Sequence, residues 1–481
     1  MSVDPLCLAS ATTLARWLRE GRISSAHLVD VHIRRMQQVN PKLNAMVEDR
    51  FDAARKQAQD ADRTLASGEL AGLPSLFGVP CSIKECFAVE GMVNTGGLYA
   101  RKGQRATTNA TTVQRIVDAG AIILGTTNVS ELCMWMETDN CIYGRTSNPY
   151  DQRRTVGGSS GGEAALVASG AAPFGLGSDL GGSIRMPAYF NGIFGHKPTG
   201  GLVPNSGQFP QLTGSGYKTL VTGPFARRAE DLMPLMRILA GPDQWEGENW
   251  PDALHDPATV DVSKLRVLVV PDNGRIAVSA EVQGGVESAS RALRRSGAQV
   301  KTVRFKRLKH AFEMWSAALH AAEGPSFRER MGNGQHLNPV AELGRWFARR
   351  SNHTFPAIGL GLLESLGDLL PGQEKKFLSM ANDFRDELDE ALGDDGVMLH
   401  PPYPTAAPLH TKALFPPFNW IYTAVFNPLH LPITQVPIGA NRRGIPLGVQ
   451  VVGPRGRDYI PIAVANFLEK ACGGWHPPSW P

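Results

Sequence analysis

Gly157-Gly158-Ser159-Ser160-Gly161-Gly162, and after it Gly177-Ser178-Asp179-Leu180-Gly181-Gly182-Ser183-Ile184-Arg185, are the two stretches from which the rest of this 481-residue sequence is read. From Val156 to Thr199 the chain is crowded with glycine. Glycine weakens helices and strands alike, so this density predicts tight turns where the backbone must approach something closely.

Upstream, Leu76-Phe77-Gly78-Val79-Pro80-Cys81-Ser82-Ile83 reads as a strand that delivers Lys84 at its end. Ser24 and Ser25 are placed to cap a helix that repeats Leu28, Val31, Ile33 and Met36 at helical spacing. Asp52 to Leu65 and Thr111 to Ala119 read as further helices. Ala121-Ile122-Ile123-Leu124 is the continuously apolar run of a buried parallel strand. Downstream, strands are expected at 265–270, 299–303, 397–399, 433–438 and 447–452, and helices at 281–295 and 458–471. Residues 305–395 carry helices and loops without a strand pattern. Alternating strands and helices predict an α/β class with a mixed sheet.

Composition narrows the function classes. With 42% hydrophobic and 20% charged residues the chain is globular, and its net charge of +4 comes from 49 basic and 45 acidic residues with no long basic run. Neither a nucleic acid nor a membrane surface is the expected partner. The six cysteines show no CxxC pair and no metal-ligand spacing, so no disulfide framework and no metal are expected. The phosphate-loop pattern GxxxxGK[ST] is absent, and no cofactor is expected. Met1-Ser2-Val3-Asp4-Pro5 lacks the basic and apolar regions of a secretory signal, and no apolar run reaches the roughly 20 residues that span a bilayer. A cytoplasmic protein without a transmembrane segment is the expectation.

The two serine stretches, Lys84 and Gly195-His196-Lys197-Pro198-Thr199 together resemble the amidase signature family. The resemblance extends to the spacing, 75 residues from Lys84 to Ser159 and 24 from Ser159 to Ser183, and to Gly78-Val79-Pro80, Asn128, Asn148-Pro149 and Leu447-Gly448-Val449-Gln450 through Gly453. Ile184 through Pro198 is similar to the fatty-acid amide hydrolase branch. The resemblance implies an amidase-signature fold with a central twisted mixed β-sheet flanked by helices on both faces. It implies one domain over 1–481, in which residues of about 240–400 are a variable insert or cap shaping the substrate pocket. It also implies an amidase that forms an acyl-enzyme: Ser183 is the nucleophile, Ser159 relays its proton and neutral Lys84 is the base. A cis peptide between Gly158 and Ser159 comes with it. Leu180, Gly181 and Gly182 would offer backbone N–H groups to the oxyanion, each worth about 3 kcal/mol in the transition state. Cys133 and Met134 would line the substrate carbonyl site. The scheme is chemically coherent, because a serine hydroxyl needs a base and a lysine serves as one only when desolvation makes its neutral form accessible.

Other readings stand beside this one. Gly157-Gly158-Ser159-Ser160-Gly161 also satisfies the GxSxG elbow, which would need an acidic residue and a histidine downstream; His400, His410 and His430 carry no local motif. Asp179 and Arg185 read as an ion pair that braces the loop, Cys86 as packing and His196 as structural. Trp315, Phe327, Trp346, Phe347, Phe355 and the leucines from Leu360 to Leu370 are either an apolar acyl or aryl pocket or ordinary core of the insert. The expected partner is a small-molecule amide or carbamate substrate, with a homodimer as the candidate assembly. Carbamate, urethane or ester hydrolysis by the same triad, and a glutamine-dependent amidotransferase subunit, are the alternative activities.

Overall fold

Side chains alternate across a strand, and in Ile122–Thr127 Ile123 enters one hydrophobic cluster while Ile122 and Leu124 enter another. The sheet is therefore covered on both faces. A computed structural model of the chain describes residues 3–68, 70–367 and 373–479. In chain order its strands are β1 Met46–Asp49, β2 Pro80–Lys84, β3 Ile122–Thr127, β4 Phe174–Asp179, β5 Phe194–Lys197, β6 Val221–Ala226, β7 Arg266–Val269, β8 Gln299–Thr302, β9 Gly396–His400, β10 Ile433–Ala440 and β11 Pro446–Val452. Among the described residues they form one eleven-stranded sheet in the order β1-β3-β2-β4-β6-β5-β10-β11-β9-β7-β8. The sheet is mixed: β2 runs parallel to β3 and β4, and β7 to β8 and β9, while the remaining pairs are antiparallel.

One face carries a continuous core. Cys81, Ile83, Ile123, Val267, Val397, Val449 and Val451 pack there against the helices Ala11–Arg19, Leu232–Leu239, Ala280–Ser296 and Tyr459–Cys472. On the other face the core is divided. Ile122 and Leu124 pack with the helix Gly161–Ala168 and with Ile184 and Ala188, whereas Met398, Ile433 and Val452 pack with Met314, Phe384 and Leu388. Ser82 and Lys84 alternate with Cys81 and Ile83, so they point to this second face, at the carboxyl ends of the parallel strands β2 and β4. Open α/β sheets place their ligand crevices at such ends.

The expected strands and helices recur with end shifts of a few residues. The first predicted strand starts later than expected, at Pro80, because Gly78 adopts φ 77° and the chain turns before it. Four strands were not anticipated: β1, β4, β5 and β6. Two of them, β4 and β5, lie inside the glycine-rich stretch that was read as turns, and β6 pairs with both. A Cβ at Gly175 would overlap the Glu163 carboxylate, one at Gly177 the Phe225 ring, and one at Gly223 the His196 carbonyl. These glycines mark close approach inside a sheet rather than chain reversal.

Within 240–400, β7, the helix Ala280–Ser296 and β8 belong to the main sheet layer, while the described part of 305–395 holds helices and loops and no strand. Leu369 and Leu370 lie outside the described residues. Among the described residues no helix is long and apolar enough to cross a membrane. Because the Gly223 position is closed by a neighbouring backbone carbonyl, Gly223→Ala is expected to destabilise the fold by about 3 kcal/mol, an overpacking effect. Thermal unfolding of the pure variant checks this, and an unchanged midpoint would contradict it.

Candidate active site

Lys84 is the last residue of β2 and is wholly buried. Its Nζ donates to Ser159 Oγ at 2.7 Å and to Ser178 Oγ at 2.9 Å, and among the described residues no carboxylate comes within ion-pair distance of it. Ser159 sits in the glycine loop that leads into the helix Gly161–Ala168, after a cis Gly158–Ser159 peptide. Packing explains the glycines of this loop: a Cβ at Gly158 would strike the Trp135 carbonyl, and one at Gly162 would crowd the backbone of Asn128 and Ala45. Ser183 lies in the turn between β4 and the helix Arg185–Phe190. It lines a cavity together with Ser159 and Ser178, and its hydroxyl makes no hydrogen bond to another described residue.

The Ser183 turn is built around Asp179. Its carboxylate accepts from the N–H of Gly182 at 2.7 Å and of Ile184 at 3.1 Å, from Arg185 Nε at 3.0 Å and Nη2 at 2.8 Å, and from Asn427 Nδ2 at 3.0 Å. Burial by itself would raise this carboxyl, but the Arg185 guanidinium and the hydrogen bonds hold it well below the usual carboxylate range. Gly182 therefore spends its N–H on Asp179. The N–H groups of Gly181 and Ser183 donate to no described acceptor.

Two cavities meet at Ser183. The larger, about 320 Å³, is lined by the apolar Leu180, Leu212, Leu220 and Leu319 and by the charged Glu323, Arg328 and Glu364. The smaller, about 50 Å³, is walled by Met134, Met136, Met186, Trp315, Leu360 and Trp420. Cys133 and Met134 border both. They belong to a loop in which Leu132 and Cys133 have φ 54° and 56°, and a buried carboxylate fastens each end of it. Glu131 binds His353 Nδ1 at 2.6 Å and the N–H of Thr354 at 2.8 Å. Glu137 binds His410 Nδ1 at 3.0 Å and the N–H of Thr411 at 3.1 Å.

Two further carboxyls lie under the site. Burial pushes Glu163 up to about 8, against the hydroxyls of Ser82 and Thr127, the latter donating at 2.8 Å. Burial likewise pushes Glu85 up to about 7, although Thr95, the N–H of Gly96 and the Tyr143 hydroxyl all donate to it. Cys133 moves the other way, down to about 7, through a hydrogen bond from Cys86 and the nearby Lys84; burial raises the Cys86 thiol well above its ordinary value. Among the described residues no group of three or more His, Cys, Asp and Glu side chains is arranged to hold a metal.

Sequence reading thus placed Lys84, Ser159, Ser183, Leu180, Gly181, Cys133 and Met134 in positions that share one cavity system. The Asp179–Arg185 pair braces the turn as expected, and His196 is a buried partner of Thr434 and Asp458. None of the three histidines weighed for the elbow reading bonds Ser159: His400 bonds Val270, His410 bonds Glu137 and His430 bonds Lys218. Of the aromatic residues in the middle region, Trp315 and Phe327 line the cavities, while Trp346, Phe347 and Phe355 are exposed. Ser178 and Glu163 were missed. Ser178 carried a signal, since it alternates with Gly177 and Asp179 in the second serine stretch, but that stretch was read as a turn.

Known proteins resemble the chain over most of its length. The amidase family model matches residues 27–460. Fatty-acid amide hydrolase 2-B of Danio rerio is 44% identical, with 99% of this chain and 91% of the relative covered. Fatty-acid amide hydrolase 2 of Homo sapiens is 42% identical, with 98% and 90% covered. Among solved structures, 6-aminohexanoate cyclic dimer hydrolase with its substrate superposes with a TM-score of 0.82 at 26% identity, covering 97% of each chain.

The Glu163 carboxyl gives a pH test. It titrates near 8 in the folded chain and near the ordinary value of about 4.3 when unfolded. Between those values the folded state holds the extra proton, so this contribution to stability is complete below about 4.3 and is lost as pH rises through about 8. Glu163→Gln is expected to show a smaller fall in unfolding midpoint between pH 5 and 8 than the parent chain; parallel curves would contradict the assignment.

Proposed function

The chain belongs to the amidase family and is a hydrolase acting on amide C–N bonds; on that premise we propose that it cleaves hydrophobic acyl or aryl amides through a Ser183 acyl-enzyme, with Ser159 and Lys84 as the proton relay. The contact that carries this reading is the 2.7 Å hydrogen bond between Lys84 Nζ and Ser159 Oγ, made inside the cavity that Ser183 lines. Lys84 works as a neutral amine in this scheme. It accepts a proton from Ser159, which accepts one from Ser183 as Ser183 Oγ attacks the carbonyl. The relay requires the Ser183 and Ser159 hydroxyls to meet in the substrate-bound state, as catalytic hydrogen bonds commonly do only once substrate is present.

The negative charge that develops on the carbonyl oxygen falls to the N–H groups of Gly181 and Ser183, since Asp179 occupies that of Gly182. Ser159 returns the proton to the departing nitrogen, which an amide needs because an amide anion leaves poorly. Water then repeats the sequence and releases the acid. Apolar residues in both cavities favour hydrophobic groups on either side of the scissile bond. Carbamates, urethanes and esters pass through a similar tetrahedral intermediate and fall within the reach of the same serine.

A panel of a long-chain acyl amide, an aryl anilide, an aryl carbamate, a short primary amide and glutamine tests the reading. The hydrophobic amides are expected to react fastest. Ser183→Ala should lower kcat by at least about 10³-fold, and Lys84→Ala or Ser159→Ala by about 10²- to 10⁴-fold. Full activity in Ser183→Ala would remove the nucleophile, and activity on glutamine alone would point to an amidotransferase subunit.

A further inference from the structure

In a trans peptide the C=O and N–H point in opposite directions across one plane, so whatever holds the oxygen also aims the hydrogen. Three consecutive peptides precede Ser183, and each has its carbonyl held. The Gly181 carbonyl accepts from Thr423 Oγ1 at 2.8 Å, and the N–H of the same unit, on Gly182, goes to Asp179. The Gly182 carbonyl accepts from the N–H of Met186 at 2.7 Å, in the first turn of the next helix, and the N–H of that unit, on Ser183, is unbonded. The Leu180 carbonyl accepts from Trp315 Nε1 at 2.8 Å, and the N–H of that unit, on Gly181, is also unbonded. Of the two N–H groups left for a ligand, one is therefore aimed by local helix geometry and the other by a side chain 135 residues away.

We infer that Trp315 is a positioning residue for catalysis: its indole N–H fixes the Leu180–Gly181 peptide so that the Gly181 N–H meets the oxyanion. The assignment rests on the Ser183 acyl-enzyme reading given above. Trp315 is buried at 8% exposure and stands edge-on to Trp420, with ring centroids 4.6 Å apart and planes at 76°. The ring therefore has little freedom to leave the Leu180 carbonyl. The same ring is a wall of the small cavity beside Ser183. A substrate group seated in that cavity rests on the side chain that aims the donor, so occupancy of the cavity and stabilisation of the oxyanion share one residue. Trp315 touches no reacting atom, and its effect passes through Gly181.

Trp315→Phe keeps an aromatic wall and deletes the N–H. It is expected to lower kcat for amide substrates about ten-fold, less than outright removal of a donor, with KM changed by less than about two-fold. An aldehyde analogue that adds to Ser183 places an oxyanion at the same point, so its affinity is expected to fall by the same factor as kcat. A carboxamide that binds without reacting should keep its affinity. A merely structural role would instead move KM, the unfolding midpoint and both ligands together, and that result would overturn the assignment. So would unchanged kcat in folded Trp315→Phe while Ser183→Ala is inactive. Full activity in Ser183→Ala would remove the premise itself, a distinguishable failure that also overturns the assignment. Should Trp315→Phe not fold, 3-benzothienylalanine at position 315 keeps the bicyclic shape without the N–H and is held to the same outcomes.

Discussion

Asp179 closes the turn that presents Ser183, and it does so with a charge that has no water to stabilise it. Bringing a carboxylate and a guanidinium into an interior is unfavourable unless nearly every donor and acceptor finds a partner. Here they do. Besides Asp179, Arg185 reaches the Thr423 carbonyl at 2.7 Å, Gln450 Oε1 at 3.0 Å and Asn427 Oδ1 at 2.6 Å, and Asn427 returns to the Asp179 carbonyl at 2.9 Å. One ion pair thus ties the end of β4, the segment from Thr423 to Asn427 and β11 to the same turn. Removing either partner would leave an uncompensated buried charge, a far larger disturbance than loss of a surface pair. The position of the Ser183 hydroxyl follows from that network before any substrate is considered.

The sheet supplies the opposite wall. Parallel β2 and β4 bring Lys84 and Ser178 to the same end, and the helix Gly161–Ala168 covers them because glycine and alanine leave it thin enough to lie close. Close packing of backbone on backbone leaves no room for side chains at Gly158, Gly162 or Gly223, and the Glu163 carboxyl closes Gly175. The glycine richness of the region goes with this close packing around Lys84, Glu163 and the serines Ser159 and Ser178.

This also explains what the sequence could reveal. Lys84, Ser159 and Ser183 were legible because their order and spacing resemble a known family, and the Asp179–Arg185 brace because opposite charges flank a glycine turn. β4, β5 and β6 were not legible. Glycine signals both chain reversal and close contact, and only the neighbouring strand decides between them; the Gly177–Gly223 pair between β4 and β6 is of the second kind. The pairs Glu131–His353 and Glu137–His410 join residues 222 and 273 positions apart, with no local pattern at either end. Trp315 was legible as an apolar side chain but not as a donor, since its partner is a backbone carbonyl that no side-chain pattern identifies.

The neutral character of the site's floor bears on the proposed relay. Glu163 and Glu85 are the carboxyls packed around the lysine strand, and burial raises both, to about 8 and about 7, so near neutral pH much of each is protonated. Lys84 has hydroxyls as its hydrogen-bond partners, not carboxylates. A proton arriving at its amine in the relay would make a charge without an adjacent counter-charge, held in a medium that strengthens electrostatic terms. Such a proton is better placed on the departing nitrogen, and Ser159 is the group through which it can return. In a Ser-His-Asp triad an ionised carboxylate stabilises the imidazolium. Here the proposed relay would work with no such carboxylate, and the buried ion pair Asp179–Arg185 lies in the Ser183 turn, where it shapes the backbone instead of the proton path.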